Sequence, residues 1–128
     1  MLGHGLAATL EPIDQPDRVD DAEADVRELS PDLERIATLD ANAVVVTAPA
    51  RFYDFVIRVF APKLGLPEDP VCGTAHRIIV PFWAERLGKT TLVSHQLSQR
   101  TGELFCALRK DAVTIAGLAA PFLEGILR

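Results

Sequence analysis

Glu68-Asp69-Pro70-Val71-Cys72-Gly73-Thr74-Ala75-His76, continuing as Arg77-Ile78-Ile79-Val80-Pro81-Phe82-Trp83-Ala84-Glu85-Arg86-Leu87-Gly88, decides the reading of this chain. From Gly73 to Leu87 the spacing predicts a helix, with Ala75, Ile78, Ile79, Phe82, Trp83 and Leu87 on one broad apolar face. A helix apolar over so much of its circumference is normally enclosed by other elements. Pro81 falls inside it and is expected to kink it or mark a wide first turn. Gly88 followed by Lys89 is a stop signal.

Upstream, Pro62, Gly65, Pro67 and Pro70 enforce about a dozen residues of loop, a length that in a small domain is more often functional than accidental. Before the loop, Asp54–Phe60 reads as a strand with Phe55, Ile57 and Val59 on one face. Ala43–Ala48 is β-branched and uninterrupted, which suits a strand buried on both faces, and Pro49 closes it. Val26, Leu29, Leu33 and Ile36 are spaced three and four apart with charges between them. Pro31 divides this run into two short helices, 21–29 and 31–38, the second with Ser30 as N-cap and Pro31 in its first position.

Downstream, 91–98, 103–110 and 112–118 read as strands, the first two forming a hairpin through Arg100-Thr101-Gly102, with a last strand expected over 120–127. Residues 1–17 read as a loose lead-in and 18–128 as a single domain. The fold class is therefore α+β, a mixed or antiparallel sheet wrapped around one central buried helix.

Composition narrows the function. The 128 residues suit one compact domain able to bury roughly two-thirds of its unfolded surface. The net charge of −5 is split, with −8 over residues 1–40 and +3 over 41–128. An acidic chain argues against a nucleic-acid binder, and the acidic lead-in reads as a solvated face. No run of 18 apolar residues is present to cross a membrane. No secretion signal is evident, and Cys72 and Cys106 are too few for a disulfide framework and lack zinc-ligand spacing, so a reducing cytoplasm is expected.

Chemistry concentrates in Glu68–His76. Free amides at a helix N-terminus attract anions, and Gly73 lets a ligand approach the backbone, so a carboxylate would sit well against Gly73 and Thr74. The bland alternative is a helix capped by its own Thr74 or Asp69. Asp69 reads as an acid, a base or an orienting group, or else as an ordinary turn residue before proline. Cys72 and His76 lie one helical turn apart, near enough for the imidazole to lower the thiol pKa and support a thiolate base. The alternative is a small buried cysteine and a packed histidine. Cys106 reads as core, and His4 and His95 as ordinary surface or loop histidines.

These residues resemble the phenazine-biosynthesis (PhzF-like) isomerase family. The likeness runs through Arg58-Val59-Phe60-Ala61-Pro62, Gly65, Glu68–His76, Pro81-Phe82-Trp83-Ala84, Leu87-Gly88-Lys89 and Gln96-Leu97-Ser98-Gln99-Arg100-Thr101-Gly102. The family usually has a glycine pair at Thr101-Gly102, and more often Thr and Ser at Cys72 and Thr74. The resemblance implies a diaminopimelate-epimerase-like fold of two similar halves, with the active site between them. It implies proton transfer on a small carboxylate-bearing substrate without a cofactor or metal. By position, Asp69 matches a polar catalytic-site residue, and Gly73 and Thr74 match substrate-binding ones. Cys72 stands near where related epimerases place a catalytic cysteine. The family's principal acid/base glutamate belongs to the first half, so a homodimer or a separate first-half chain is the expected partner. Leu2–Ala8 is similar to a Gly-His segment that opens the first half's helix, with chance similarity the alternative.

Overall fold

In a computed structural model, which describes residues 6–9 and 19–127, one six-stranded sheet carries helices on both faces. The elements are β1 (Leu6–Thr9), α1 (Val19–Glu28), α2 (Leu33–Thr38), β2 (Ala43–Pro49), β3 (Phe55–Phe60), α3 (Gly73–Leu87), β4 (Thr91–Gln96), β5 (Gly102–Leu108) and β6 (Val113–Ala116). A single 3₁₀ turn, Pro62–Leu64, follows β3. Strand order equals chain order. Pairing is parallel between β1 and β2 and between β3 and β4, and antiparallel elsewhere. The fold is α+β with a mixed sheet, as the sequence implied. Leu6–Thr9, inside the stretch read as lead-in, forms β1 against Ala43–Val46. His4 lies outside the described residues.

The two faces of β3 build two cores. Phe55, Ile57 and Val59 pack with Ala75, Ile79, Val80, Trp83 and Leu92 beneath α3. Val56 points the other way, to Ala22 and Val26 of α1 and to Leu97. A strand apolar on both faces is what this double coverage requires. The Trp83 ring stacks on Phe55 at 5.8 Å, and its indole Nε1 donates to Thr47 Oγ1 at 3.0 Å. Thr47 Oγ1 in turn donates to the Val56 carbonyl at 2.6 Å, so the polar tip of the core's largest ring is satisfied. Cys106 is buried among these residues, as expected.

Four local expectations are corrected. The second helix begins at Leu33 with Asp32, not Ser30, as N-cap: Asp32 Oδ1 accepts from the Arg35 amide at 3.0 Å, and Pro31 lies outside the helix. Pro31 disfavours helical geometry at Ser30, whereas Asp32 is extended and its short carboxylate reaches the third helical amide. α3 runs through Pro81 as one element but is not enclosed. The sheet covers Ala75, His76, Ile79, Val80, Trp83 and Ala84, while Ile78 remains 41% and Leu87 38% exposed. Residues 117–127 form no strand: they run on from β6 without pairing along its outer edge, and Pro121 lacks a donor. His95 is not a loop residue. It lies half-buried on β4, its ring 4.6 Å from that of Tyr53.

Candidate functional site

The site begins with the way the chain leaves β3. Arg58 sits over the Phe60 ring and makes a two-pronged ion pair with Glu68, Nε to Oε1 at 2.8 Å and Nη2 to Oε2 at 3.0 Å. Its Nη1 also donates to the carbonyls of Val26 and Leu29, so one guanidinium joins the end of α1 to the loop. That geometry suits arginine's planar fork and no lysine could reproduce it. Gly65, at φ 76, turns the chain back in the left-handed region, and the Asp69 amide then donates to the Val59 carbonyl at 2.9 Å.

Beyond Asp69 the loop is held by β4. Gln96 is fully buried. Its Oε1 accepts from the Cys72 amide at 2.8 Å, and its Nε2 donates to the Asp69 carbonyl at 2.6 Å. One side-chain amide thus supplies both partners that a neighbouring strand would give, immediately before α3. Ser98 Oγ donates to the Pro70 carbonyl at 2.7 Å and accepts from the Thr101 amide at 3.1 Å. Val71 lies against Gly102 so closely that a Cβ there would stand 2.4 Å from Val71 Cγ2. Thr101 holds φ 59, in the left-handed region.

The first turn of α3 emerges from this frame. Cys72 is the N-cap, extended, and its side chain makes no capping hydrogen bond. Gly73 and Thr74 are exposed at the helix N-terminus. Asp69 is half-buried, with Oδ1 accepting from the Val71 amide at 3.1 Å in an Asx turn. The His76 imidazole is fully buried. Its Nδ1 donates to the Cys72 carbonyl at 2.7 Å, which leaves Nε2 to accept from Ser94 Oγ at 2.6 Å. Burial holds its pKa below the ordinary histidine value. The imidazole therefore does not lower the thiol. Burial pushes the Cys72 pKa up, Asp69 adds to the rise, and the amides of Ala75 and Thr74 only partly oppose it. Cys106, buried in the core, is pushed up to about 11.

Two open concavities flank the loop. One, about 760 Å³, is lined by Gly73 and Thr74, by Arg77, Arg109, Lys110 and Asp111, and by an apolar floor that includes Pro81, Leu108, Val113 and Ile115. The other, about 800 Å³, holds Asp69 and Val71 with His95, Arg100, Glu103 and Leu118. Asp69 and the Gly73-Thr74 pair, expected as one site, thus face different hollows on either side of residues 70–72. Cys72 and His76 line neither. Sequence reading did not single out Gln96, Ser98, Val71 against Gly102, or the cleft cations Arg77, Arg109 and Lys110. A signal was present for the first two: Ser94, Gln96 and Ser98 recur at period two, placing polar groups on the inward face of a buried strand.

The mixed sheet, with α3 on one face and α1 on the other, is the α+β, diaminopimelate-epimerase-like fold of the solved proteins it matches. The profile of the phenazine biosynthesis-like protein (PhzC-PhzF) family matches residues 19–125, and the chain belongs to that family. An uncharacterized isomerase of Pseudomonas aeruginosa is 43% identical over 126 residues, 98% of this chain and 48% of that protein. A phenazine biosynthesis PhzC/PhzF protein of Clostridium difficile superposes with a TM-score of 0.76 at 37% identity, covering 84% of this chain and 42% of that one. A PhzF-family protein of Enterococcus faecalis gives 0.70 at 41% identity, covering 76% and 39%. The chain thus spans about half the length of these relatives. Among the described residues, no helix is long and apolar enough to cross a membrane.

Proposed function

We propose that this chain supplies the substrate-holding side of a cofactor-independent isomerase that moves a proton on a small carboxylate-bearing molecule. The observation that carries the reading is the clamp of Gln96 on Asp69 and Cys72, which presents the first turn of α3 at the edge of a cleft rimmed by Arg77, Arg109 and Lys110. Proton loss next to a carboxylate spreads negative charge onto the carboxylate oxygens. Fixed amide donors at a helix N-terminus, the helix dipole and nearby cations favour that charge before the reaction begins. Thr74 adds a hydroxyl donor. Asp69, held at the loop by its Oδ1 bond from the Val71 amide and close to the Cys72 thiol, is the acid/base candidate on this side. Because Asp69 lines a different concavity from Gly73 and Thr74, the reading calls for a second acid/base group on a facing half, either a second copy or a separate first-half chain.

NMR titration with succinate and with benzoate tests the binding step. The expected result is saturable shifts at the Gly73 and Thr74 amides, with Thr74→Ala weakening binding roughly tenfold or more for one lost charge-assisted hydrogen bond. Solvent-deuterium incorporation into bound acids tests the chemistry. Exchange undiminished in an Asp69→Asn, Thr74→Ala variant would sink the reading. A second reading, an anion-binding half without turnover, is favoured by the lining of the Gly73-Thr74 cleft, where three cations, Arg77, Arg109 and Lys110, stand with a single carboxylate, Asp111. Binding without exchange would establish it.

A further inference from the structure

His76 and Ser94 are both fully buried, and neither lines a cleft. Their hydrogen bonds nonetheless lead to one. A carbonyl oxygen can only accept, so the 2.7 Å bond to Cys72 places the ring proton on Nδ1 and leaves Nε2 as the acceptor for the Ser94 hydroxyl at 2.6 Å. The Phe55 ring, 5.9 Å away, closes one side of the imidazole with apolar surface. The Cys72 carbonyl belongs to the same peptide group as the Gly73 amide. That amide stands at the first helical position, where no intrahelical acceptor exists. Gly73 lines the cleft, and even a Cβ added to it would meet nothing within 4 Å. The donations therefore run head to tail, from hydroxyl to imidazole to carbonyl, and end across one peptide bond at an amide that an incoming ligand can reach.

We propose that His76 and Ser94 are positioning residues that polarise the Cys72–Gly73 peptide group and so strengthen the Gly73 amide as a donor to the substrate carboxylate. The carboxylate at the end of this relay rests on the functional reading above; the polarised peptide stands without it. Bonds joined head to tail strengthen one another. A hydroxyl donating to Nε2 draws density from the ring and makes the Nδ1 hydrogen more acidic. A donor on a carbonyl draws density from its own amide nitrogen and does the same to that N–H. Burial sharpens both effects, since no water competes for either ring nitrogen. A side chain kept only to fill this space needs no polar atom, and each one buried must find a partner. The direction depends on a neutral ring. An imidazolium donates from both nitrogens and would turn the Ser94 hydroxyl around, so the relay points to Gly73 only while Nε2 carries no hydrogen. Gln96 acts separately, on the peptide group one residue earlier, through the Cys72 amide.

NMR on the intact labelled chain, first without ligand, tests the relay. At neutral pH the His76 ring nitrogens are expected to report a neutral imidazole with its hydrogen on Nδ1. His76→Leu should move the Gly73 amide nitrogen and the Cys72 carbonyl carbon upfield, as loss of a bond to that carbonyl requires. Ser94→Ala should move both in the same sense by less, and should add nothing in the His76→Leu background, because Ser94 acts only through the ring. His76→Asn, whose side-chain amide can still donate to the Cys72 carbonyl, should recover part of the Gly73 shift. Titration with succinate should then show affinity about two- to fivefold weaker in His76→Leu, and less so in Ser94→Ala. Should His76→Leu fail to fold, the parent's tautomer and Ser94→Ala decide the matter alone. A hydrogen on Nε2 in the parent, a Gly73 resonance unmoved by Ser94→Ala, equal Ser94→Ala shifts with and without His76, or undiminished succinate affinity in the variants overturns the proposal. A parent that binds no succinate counts against the functional reading, while the ligand-free shifts still decide whether the peptide is polarised.

Discussion

Replacing Gln96 by leucine asks how much of the site's geometry rests on one side chain. The substitution nearly preserves shape but removes an acceptor from the Cys72 amide and a donor from the Asp69 carbonyl. A buried backbone group left unpaired costs about 1–3 kcal/mol. Cys72 and Asp69 are half-buried, so water recovers part of this, and leucine's apolar transfer offsets roughly another 1 kcal/mol. The expected net loss is about 1–3 kcal/mol, read as a lower urea midpoint at unchanged slope and fixed protein concentration. Gln96→Glu sharpens the test. The introduced carboxylate, when ionised, could still accept from Cys72 but would set an oxygen against the Asp69 carbonyl, whereas its protonated form restores the donor. Its pKa should therefore rise on folding. A raised folded pKa gives stability that is present at low pH and lost as pH climbs through it, so this variant should approach the parent in acid and fall away toward neutrality. A Leu variant within 0.5 kcal/mol of the parent (about the scatter of neutral surface changes), or a Glu variant that merely parallels the parent with pH, would refute the clamp.

Other expectations follow from the same frame. Gly102→Ala drives a Cβ into Val71 and should cost about 1–3 kcal/mol, most of it recovered by adding Val71→Ala, because the clash is with that side chain alone; additive denaturation energies would show otherwise. Cys72→Thr should stabilise by about 1 kcal/mol, since the N-cap lacks a side-chain acceptor; a lower Tm would contradict the uncapped reading. Burial lowers the His76 pKa, so the unfolded chain binds the proton more readily. Stability is then complete above the ordinary histidine value of 6.5 and is lost as pH falls below it, by at most about 1.4 kcal/mol per pH unit. His76→Gln should flatten that slope, and His95→Gln should act in the same sense because burial also holds the His95 pKa below the ordinary value, measured by urea titration across pH 5–8.

Most of the fold was legible because the signals were local. Val44-Val45-Val46, the Gly73–Leu87 periodicity and Gly88, which caps α3 at φ 64, each settle an element without help from distant residues. The misreadings came where distant residues decide. Ser30 and Asp32 both have capping chemistry, and only the chain's path after Pro31 selects between them. Residues 120–127 have the pattern of a strand but do not pair along the outer edge of β6. The Glu68–His76 segment was visible as a concentration of reactive groups. That the segment divides two hollows, and that His76 spends both ring nitrogens on Cys72 and Ser94, depends on where β4 and β5 bring their side chains. Arg58 was noticed only as part of a motif, because its partners at Val26, Leu29 and Glu68 come from both sides of it in sequence.

The Gln96 clamp also determines which changes of length the protein can absorb. Side chains alternate sides along a strand, so a single-residue insertion or deletion between Thr91 and Gln96 would turn Ser94 and Gln96 to the opposite face. The imidazole and the helix entrance would lose their partners together, even with every loop residue intact. An extra residue in the stretch Lys63–Leu66, by contrast, would disturb the 3₁₀ turn, the Lys63 bond to the Leu39 carbonyl and the bridge between Ala61 and Leu66, but none of the bonds made by Ser94 and Gln96. Length variation near this site should therefore be tolerated in the proline-rich connection and excluded from the strand beneath it, so that the parity of β4, more than the composition of the loop, sets which descendants of this sequence retain a working entrance to α3.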